Sequence, residues 1–86
     1  MKPNVIVFFT DQQRSDTTGA GGNPCGLTPN FDRVAFTGTY ASTAVTPQPV
    51  CGPARAVLQT GKYATCTGNY RNAIPLGRDQ RTMAHY

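Results

Sequence analysis

The sequence predicts an α/β fold in which a parallel or mixed sheet is flanked by helices. Two segments rich in apolar and β-branched residues, at positions 4–10 and 39–45, have the composition of buried strands. Between them, a Thr-Pro pair that begins at Thr28 and a glycine at Gly38 bound a short helix. The order strand, helix, strand is that of a βαβ unit, in which the two strands are parallel.

The first predicted strand, residues 4–10, is a continuous apolar run that ends at Asp11. Such a run, without polar alternation, is typical of a strand covered on both faces. In open α/β sheets, ligands bind beyond the carboxyl ends of the strands, which is where Asp11 and Gln12 lie. Their carboxylate and amide oxygens suit a hard divalent cation, although an isolated aspartate after a strand is more often a turn or capping residue.

The segments that connect these elements are predicted from their glycine and proline content. Residues 14–27 contain five glycines and prolines, which indicates a surface loop before the helix that starts at Pro29. Residues 62–81 are poor in large apolar side chains and indicate a second long loop, which would lie over the site. Thr82 is a plausible N-cap for a final short helix.

A third helix is predicted around the most specific pattern in the chain, which consists of Cys51, Pro53, Arg55, Thr60 and Gly61. Pro53 suits the first helical position, and Gly61 suits a left-handed cap about two turns later. Cys51 would then lie at or just before the helix N-terminus, where free N–H groups and the helix dipole favour an anion, with Arg55 one turn on. We therefore expect an oxyanion to bind there.

This pattern, C-x-P-x-R-x4-T-G, resembles the signature of the type I sulfatases of the alkaline phosphatase superfamily. The resemblance extends over nearly the whole chain from Pro3 onward. It implies that a maturation enzyme oxidises Cys51 to Cα-formylglycine, whose hydrate attacks the sulfur of a sulfate ester. A thiol would form a stable adduct, whereas the hydrate keeps a second hydroxyl that can expel sulfate. Arg55 would stabilise the hydrate and the neighbouring anionic oxygens, because its guanidinium is planar, permanently charged and donates several hydrogen bonds.

The resemblance also implies a metal site, in which Asp11, Gln12 and the modified residue at Cys51 bind a divalent cation. Calcium is the expected ion, with magnesium and manganese as alternatives, because Gln12 replaces the commoner second aspartate and removes one negative charge. Since a βαβ unit brings its strand ends to one side of the sheet, we expect Asp11, Gln12 and Cys51 to converge.

Other interpretations of these residues are weaker. A short helix with a buried, inert cysteine would explain Cys51 without chemistry. A cysteine protease or redox site is disfavoured because no C-x-x-C is present and the single His85, which is left without a role, offers no partner at a familiar spacing. Cys25 and Cys66 are expected to be structural. A phosphonate monoester or phosphodiester hydrolase of the same superfamily, or a noncatalytic binding module, stays an alternative function.

Length and charge limit the remaining possibilities. With 86 residues, two strands and two helices would bury little apolar surface, so residues 1–86 are expected to be the N-terminal part of a sulfatase catalytic domain, inactive in isolation. The net charge of +4 is scattered, which predicts no nucleic-acid or membrane partner but suits a sulfate ester of a small molecule or carbohydrate. No export leader or membrane span is visible, which predicts a cytoplasmic protein.

Overall fold

The computed structural model describes residues 2–86 and divides the chain into two compact units. One unit ends at Thr43, and the other runs from Ala44 to Tyr86. The regular structure of the described residues is helical: α1 at Pro29–Thr37, α2 at Cys51–Thr60, α3 at Ala64–Thr67, and 3-10 helices at Ser15–Thr17 and Met83–His85. None of the helices within residues 2–86 is long and apolar enough to cross a bilayer.

The predicted sheet is not formed by residues 2–86. Residues 4–10 lack strand structure, and the side chains of Ile6 and Phe8 are 91% and 87% exposed. Residues 39–45 are also irregular. A strand is held by hydrogen bonds to neighbouring strands, and its apolar faces need cover from packed elements. The two predicted strands are therefore not formed by residues 2–86, which provide neither neighbour strands nor cover.

In the first unit, α1 begins where the sequence predicts. Thr28 is the N-cap and Pro29 the first helical residue, but the Thr28 hydroxyl makes no capping hydrogen bond. It donates to Oδ1 of Asp32 at 3.0 Å and accepts from the N–H of Gly19 at 3.0 Å. Oδ1 of Asp32 also accepts from the N–H of Ala20 at 2.8 Å. These bonds tie the preceding glycine-rich loop to the first turn of α1.

In the second unit, α2 begins two residues earlier than predicted. Cys51 is its first residue, so Pro53 occupies the third position rather than the first. The helix ends as predicted at Gly61, whose φ of 67° lies in the left-handed region and whose N–H donates to the carbonyl of Val57 at 2.8 Å. The end of α2 is therefore defined by local backbone chemistry.

The core of the second unit is small and surrounds α2. The helix buries Pro53 and Ala56 and packs against α3, whose Ala64 is also buried, and against the 3-10 helix Met83–His85. The sequence predicts a loop where α3 forms, because a single helical turn carries no amphipathic period. The predicted N-cap Thr82 is confirmed.

The exposed apolar segment leads to a test by hydrogen exchange. We expect the backbone amides of residues 5–8 to exchange at nearly unprotected rates in the 86-residue chain. In a longer protein that supplies neighbouring strands, the same amides should exchange at least about a hundredfold more slowly, because ladder hydrogen bonds close only with a partner. Amide exchange followed by mass spectrometry measures both. Equal protection in the two proteins would contradict the prediction that residues 4–10 become a strand only when a neighbouring strand is present.

Candidate active site

Cys51 lies on the surface at the start of α2. It is the first residue of the helix, its side chain is exposed, and its thiol is not in a disulfide. The alternative of a buried, inert cysteine is therefore wrong. Cys25 and Cys66, which are expected to be structural, are also exposed and free.

Arg55 lies one helical turn after Cys51. Residues four positions apart share a helix face, and both side chains are exposed, whereas Pro53 and Ala56 are buried. The helix thus packs one side against its own unit and presents Cys51 and Arg55 together on the other side. This part of the predicted site is brought together by α2 alone.

The backbone amides of residues 52 and 54, at the start of α2 where an oxyanion is expected to bind, are already hydrogen-bonded. The N–H of Gly52 donates to Oδ1 of Asn72 at 2.8 Å, and the N–H of Ala54 donates to the carbonyl of Val50 at 2.9 Å. Pro53 has no N–H to offer. Residues 52–54 therefore leave no free amide for an anion.

Asp11 and Gln12 lie in the first unit, directly after the exposed apolar segment, and both are exposed. Gln12 has a φ of 46°, a conformation that few residues other than glycine adopt and that often marks functional positions. One carboxylate and one amide oxygen fit a hard cation chemically, but calcium takes about six to eight oxygen ligands. Residues 2–86 contain no group of three or more His, Cys, Asp or Glu side chains that could hold a metal. Asp11 and Gln12 can therefore supply only part of such a site.

The two halves of the predicted site belong to different units of the chain. Asp11 and Gln12 precede Thr43, whereas Cys51 and Arg55 follow Ala44. Their convergence stays a prediction.

Asn72 contacts the start of α2, although no sequence pattern singles it out. It lies 20 positions after Gly52, in an irregular segment, so no helical or strand period connects the two residues. The one local sign is the glycine itself, since a Cβ at position 52 would lie 2.9 Å from Oδ1 of Asn72.

Comparison with known proteins identifies the family. The family model described as Sulfatase matches residues 3–86, which is nearly the whole chain. The chain belongs to the sulfatase family. No solved structure matches this sulfatase chain significantly.

Several curated sulfatases resemble the chain along most of its length. It is 40% identical over 83 residues to an ulvan-active sulfatase of Formosa agariphila, which covers 96% of the chain and 16% of that protein. It is 41% identical over 84 residues to an arylsulfatase of Clostridium perfringens, covering 86% of the chain and 18% of that protein. It is 32% identical over 90 residues to arylsulfatase A of Bos taurus, covering 95% of the chain and 17% of that protein. The chain thus spans less than a fifth of the length of these sulfatases.

In this sulfatase chain, the Thr-Gly end of the signature has a structural role. The hydroxyl of Thr60 donates to the carbonyl of Ala56 at 2.7 Å and accepts from the N–H of Lys62 at 3.2 Å. Gly61 adopts the left-handed cap. These contacts end the helix two turns away from Cys51, so Thr60 and Gly61 shape α2 rather than contact the reacting group.

Replacing Thr60 should therefore affect stability and spare the chemistry. The test uses a protein that joins this chain to the rest of a sulfatase domain. Thr60→Val removes the hydroxyl that makes both hydrogen bonds and should lower the free energy of unfolding by about 1 kcal/mol. The kcat of the variant should stay within about twofold of that of the parent. Denaturant unfolding and sulfatase assays measure the two effects. Gln59→Ala, at an exposed position of the same helix, is the control. A large loss of kcat at unchanged stability would contradict the structural role.

Proposed function

We propose that this chain is the N-terminal part of the catalytic domain of a sulfuric ester hydrolase, which hydrolyses sulfate monoesters. The observation that carries the proposal is the exposed Cys51 at the first residue of α2, with Arg55 one turn later on the same face. The sulfatase match over residues 3–86 supports the reaction class. The chain by itself is expected to be inactive, because the group that protonates the leaving alcohol and the other metal ligands would come from further residues.

In the complete domain, residues 4–10 and 39–45 would be strands of an alkaline-phosphatase-like α/β sheet. Five consecutive apolar side chains, from Val5 to Phe9, are exposed in the structure, and soluble proteins rarely leave such a run uncovered. Strand pairing would bury this run and would place Asp11 at the carboxyl end of its strand. The predicted convergence with Cys51 depends on that step.

The nucleophile would be generated from Cys51. A separate maturation enzyme would oxidise the side chain to an aldehyde, and the hydrated aldehyde supplies one hydroxyl for attack on sulfur and another that allows sulfate to leave. The exposure of Cys51 and the absence of a disulfide support access for such an enzyme. The role of α2 is to hold position 51 at a fixed place beside Arg55.

Arg55 would be the anion-binding group that α2 contributes. The amides of Gly52 and Ala54 are already engaged, so the helix offers its positive charge through this side chain. A guanidinium stays charged at every physiological pH and can donate two parallel hydrogen bonds to sulfate oxygens. Lysine could not reproduce that paired geometry.

Asp11 and Gln12 would hold a divalent cation together with the modified residue at position 51. Calcium is proposed, with magnesium and manganese as alternatives, since the oxygen donors suit all three. The bound cation supplies positive charge beside the sulfate oxygens. Gln12 would bind the cation through its amide oxygen and would add no negative charge to the site.

The substrate is proposed to be a sulfate ester of a small molecule or a carbohydrate. The relatives carry different names, including arylsulfatase, ulvan-active sulfatase and N-acetylgalactosamine-6-sulfatase. These names share the sulfatase activity but no single alcohol. Residues 2–86 would therefore handle the sulfate group, and the alcohol would be selected by other parts of the domain.

Replacement of the nucleophile precursor tests the reaction. In the complete protein, produced with a maturation enzyme, Cys51→Ala should lower kcat for an aryl sulfate by at least about a thousandfold, because no aldehyde can form. Peptide mass spectrometry should find the aldehyde at position 51 of the parent protein only. Cys25→Ala and Cys66→Ala, which also remove exposed free thiols, are the controls and should retain activity.

The same assay separates the two hydrolase functions. Faster turnover of an aryl sulfate than of an aryl phosphodiester is expected. The reverse preference would favour the phosphodiesterase alternative, and a persistent thiol at Cys51 with no turnover of either ester would favour a binding module.

The metal site is tested by changing its charge. Gln12→Asp adds a carboxylate and should lower the Kd for calcium by about tenfold, whereas Asp11→Asn removes one and should raise it by a similar factor. Calorimetric titration of the metal-free complete protein measures both Kd values. Asp16→Asn is the control, because Asp16 is exposed and pairs with Arg14 at 2.6 Å. Unchanged calcium affinity in both site variants would exclude Asp11 and Gln12 as ligands.

A further inference from the structure

The segment that follows α3 is held in a defined conformation by Asn69. This residue is only 4% exposed, and its side-chain N–H donates to the carbonyl of Ile74. Its backbone N–H donates to Oγ1 of Thr67 at 3.4 Å. These contacts close residues 69–74 into a compact loop, which we call the Asn69 loop.

The Asn69 loop places Asn72 against the start of α2. Ala73 has a φ of 66°, a left-handed conformation that is uncommon for a residue with a side chain. Directly before it, Asn72 turns its carboxamide toward α2, where Oδ1 accepts the N–H of Gly52 at 2.8 Å. The buried side chain of Asn69 and the left-handed backbone of Ala73 thus flank Asn72. Asn72 makes its hydrogen bond to Gly52, the residue next to Cys51.

Gly52 is matched to this contact. A Cβ at position 52 would lie 2.9 Å from Oδ1 of Asn72, which is closer than such atoms pack. A larger residue would therefore push the carboxamide away. The glycine allows the carboxamide oxygen to reach the amide.

We propose that Asn72 is a positioning residue for the group at position 51. By accepting the N–H of Gly52, it fixes the first turn of α2 and with it the direction of the residue-51 side chain relative to Arg55. The inference rests on the proposed sulfatase function and deepens it. The competing explanation is a helix cap that contributes to stability alone.

The charge of Asn72 matters as much as its geometry. An aspartate would also present an acceptor oxygen to Gly52, but its negative charge would face an arriving sulfate ester. Asparagine fixes the amide without repelling the anion. Geometry and charge can therefore be separated by two substitutions of nearly equal size.

The test uses the complete, matured sulfatase and three variants. Asn72→Leu removes the acceptor, Asn72→Asp keeps it and adds charge, and Asn30→Leu makes the same apolar change at an exposed residue of α1. For each protein, kcat and KM for an aryl sulfate are measured, and kcat is divided by the fraction of protein that carries the aldehyde at position 51. Hydrogen exchange of the Gly52 amide is followed in the same proteins.

We expect Asn72→Leu to lower normalised kcat by about 10- to 100-fold, because small misplacements of a reacting group carry costs of this size. Its Gly52 amide should exchange at least about tenfold faster. Asn72→Asp should keep kcat and amide protection within about threefold but raise KM, and the increase should shrink at high salt, where charges are screened. Asn30→Leu should resemble the parent.

Gly52→Ala provides a second route if Asn72→Leu does not fold. The added methyl group should displace the carboxamide and lower kcat in the same way, and the double variant should lose no more than the worse single variant, since both remove one contact. Independent, additive losses would overturn the proposal.

The remaining outcomes distinguish this inference from the proposed function. If the parent hydrolyses sulfate and Asn72→Leu keeps normalised kcat within twofold while unfolding at a lower temperature, Asn72 is a structural cap and the inference fails alone. If the matured parent hydrolyses no sulfate ester, the proposed function fails and the positioning role falls with it.

Discussion

The hydrogen-bonding state of the first turn of α2 is the constraint on which the site depends. A helix start leaves several N–H groups without internal partners, and each must find an acceptor. Here Asn72 accepts the N–H of Gly52, and Pro53 has no N–H that needs an acceptor. As a result, the two residues that follow Cys51 leave no free backbone donor in this turn.

Local chemistry made α2 predictable, whereas the sheet depends on distant residues. Gly61 at a left-handed cap, Thr28 before Pro29 and Thr82 before the last 3-10 helix act within one turn, so the sequence is enough to locate these boundaries. Residues 4–10 were correctly seen as apolar, but pairing requires a neighbour that a single segment cannot encode. The strands predicted at residues 4–10 and 39–45 are therefore not formed by residues 2–86.

The shared helix face of Cys51 and Arg55 was predictable from the sequence, but the contacts at the start of α2 were not. Cys51 and Arg55 share one helix face because their spacing is four, which is visible in the sequence. Asn72 reaches Gly52 through a loop set by Asn69 and Ala73, neither of which has a recognisable pattern. Contacts between irregular segments depend on tertiary packing, and this is the part of the site that sequence reasoning could not supply.

The exposed run from Val5 to Phe9 has a consequence for biosynthesis. These residues leave the ribosome before any strand encoded downstream, and translation adds about 5–20 residues each second. During that interval the nascent chain exposes a run of apolar residues of the kind that promotes aggregation. Residues 5–9 therefore stay uncovered until a neighbouring strand has been synthesised.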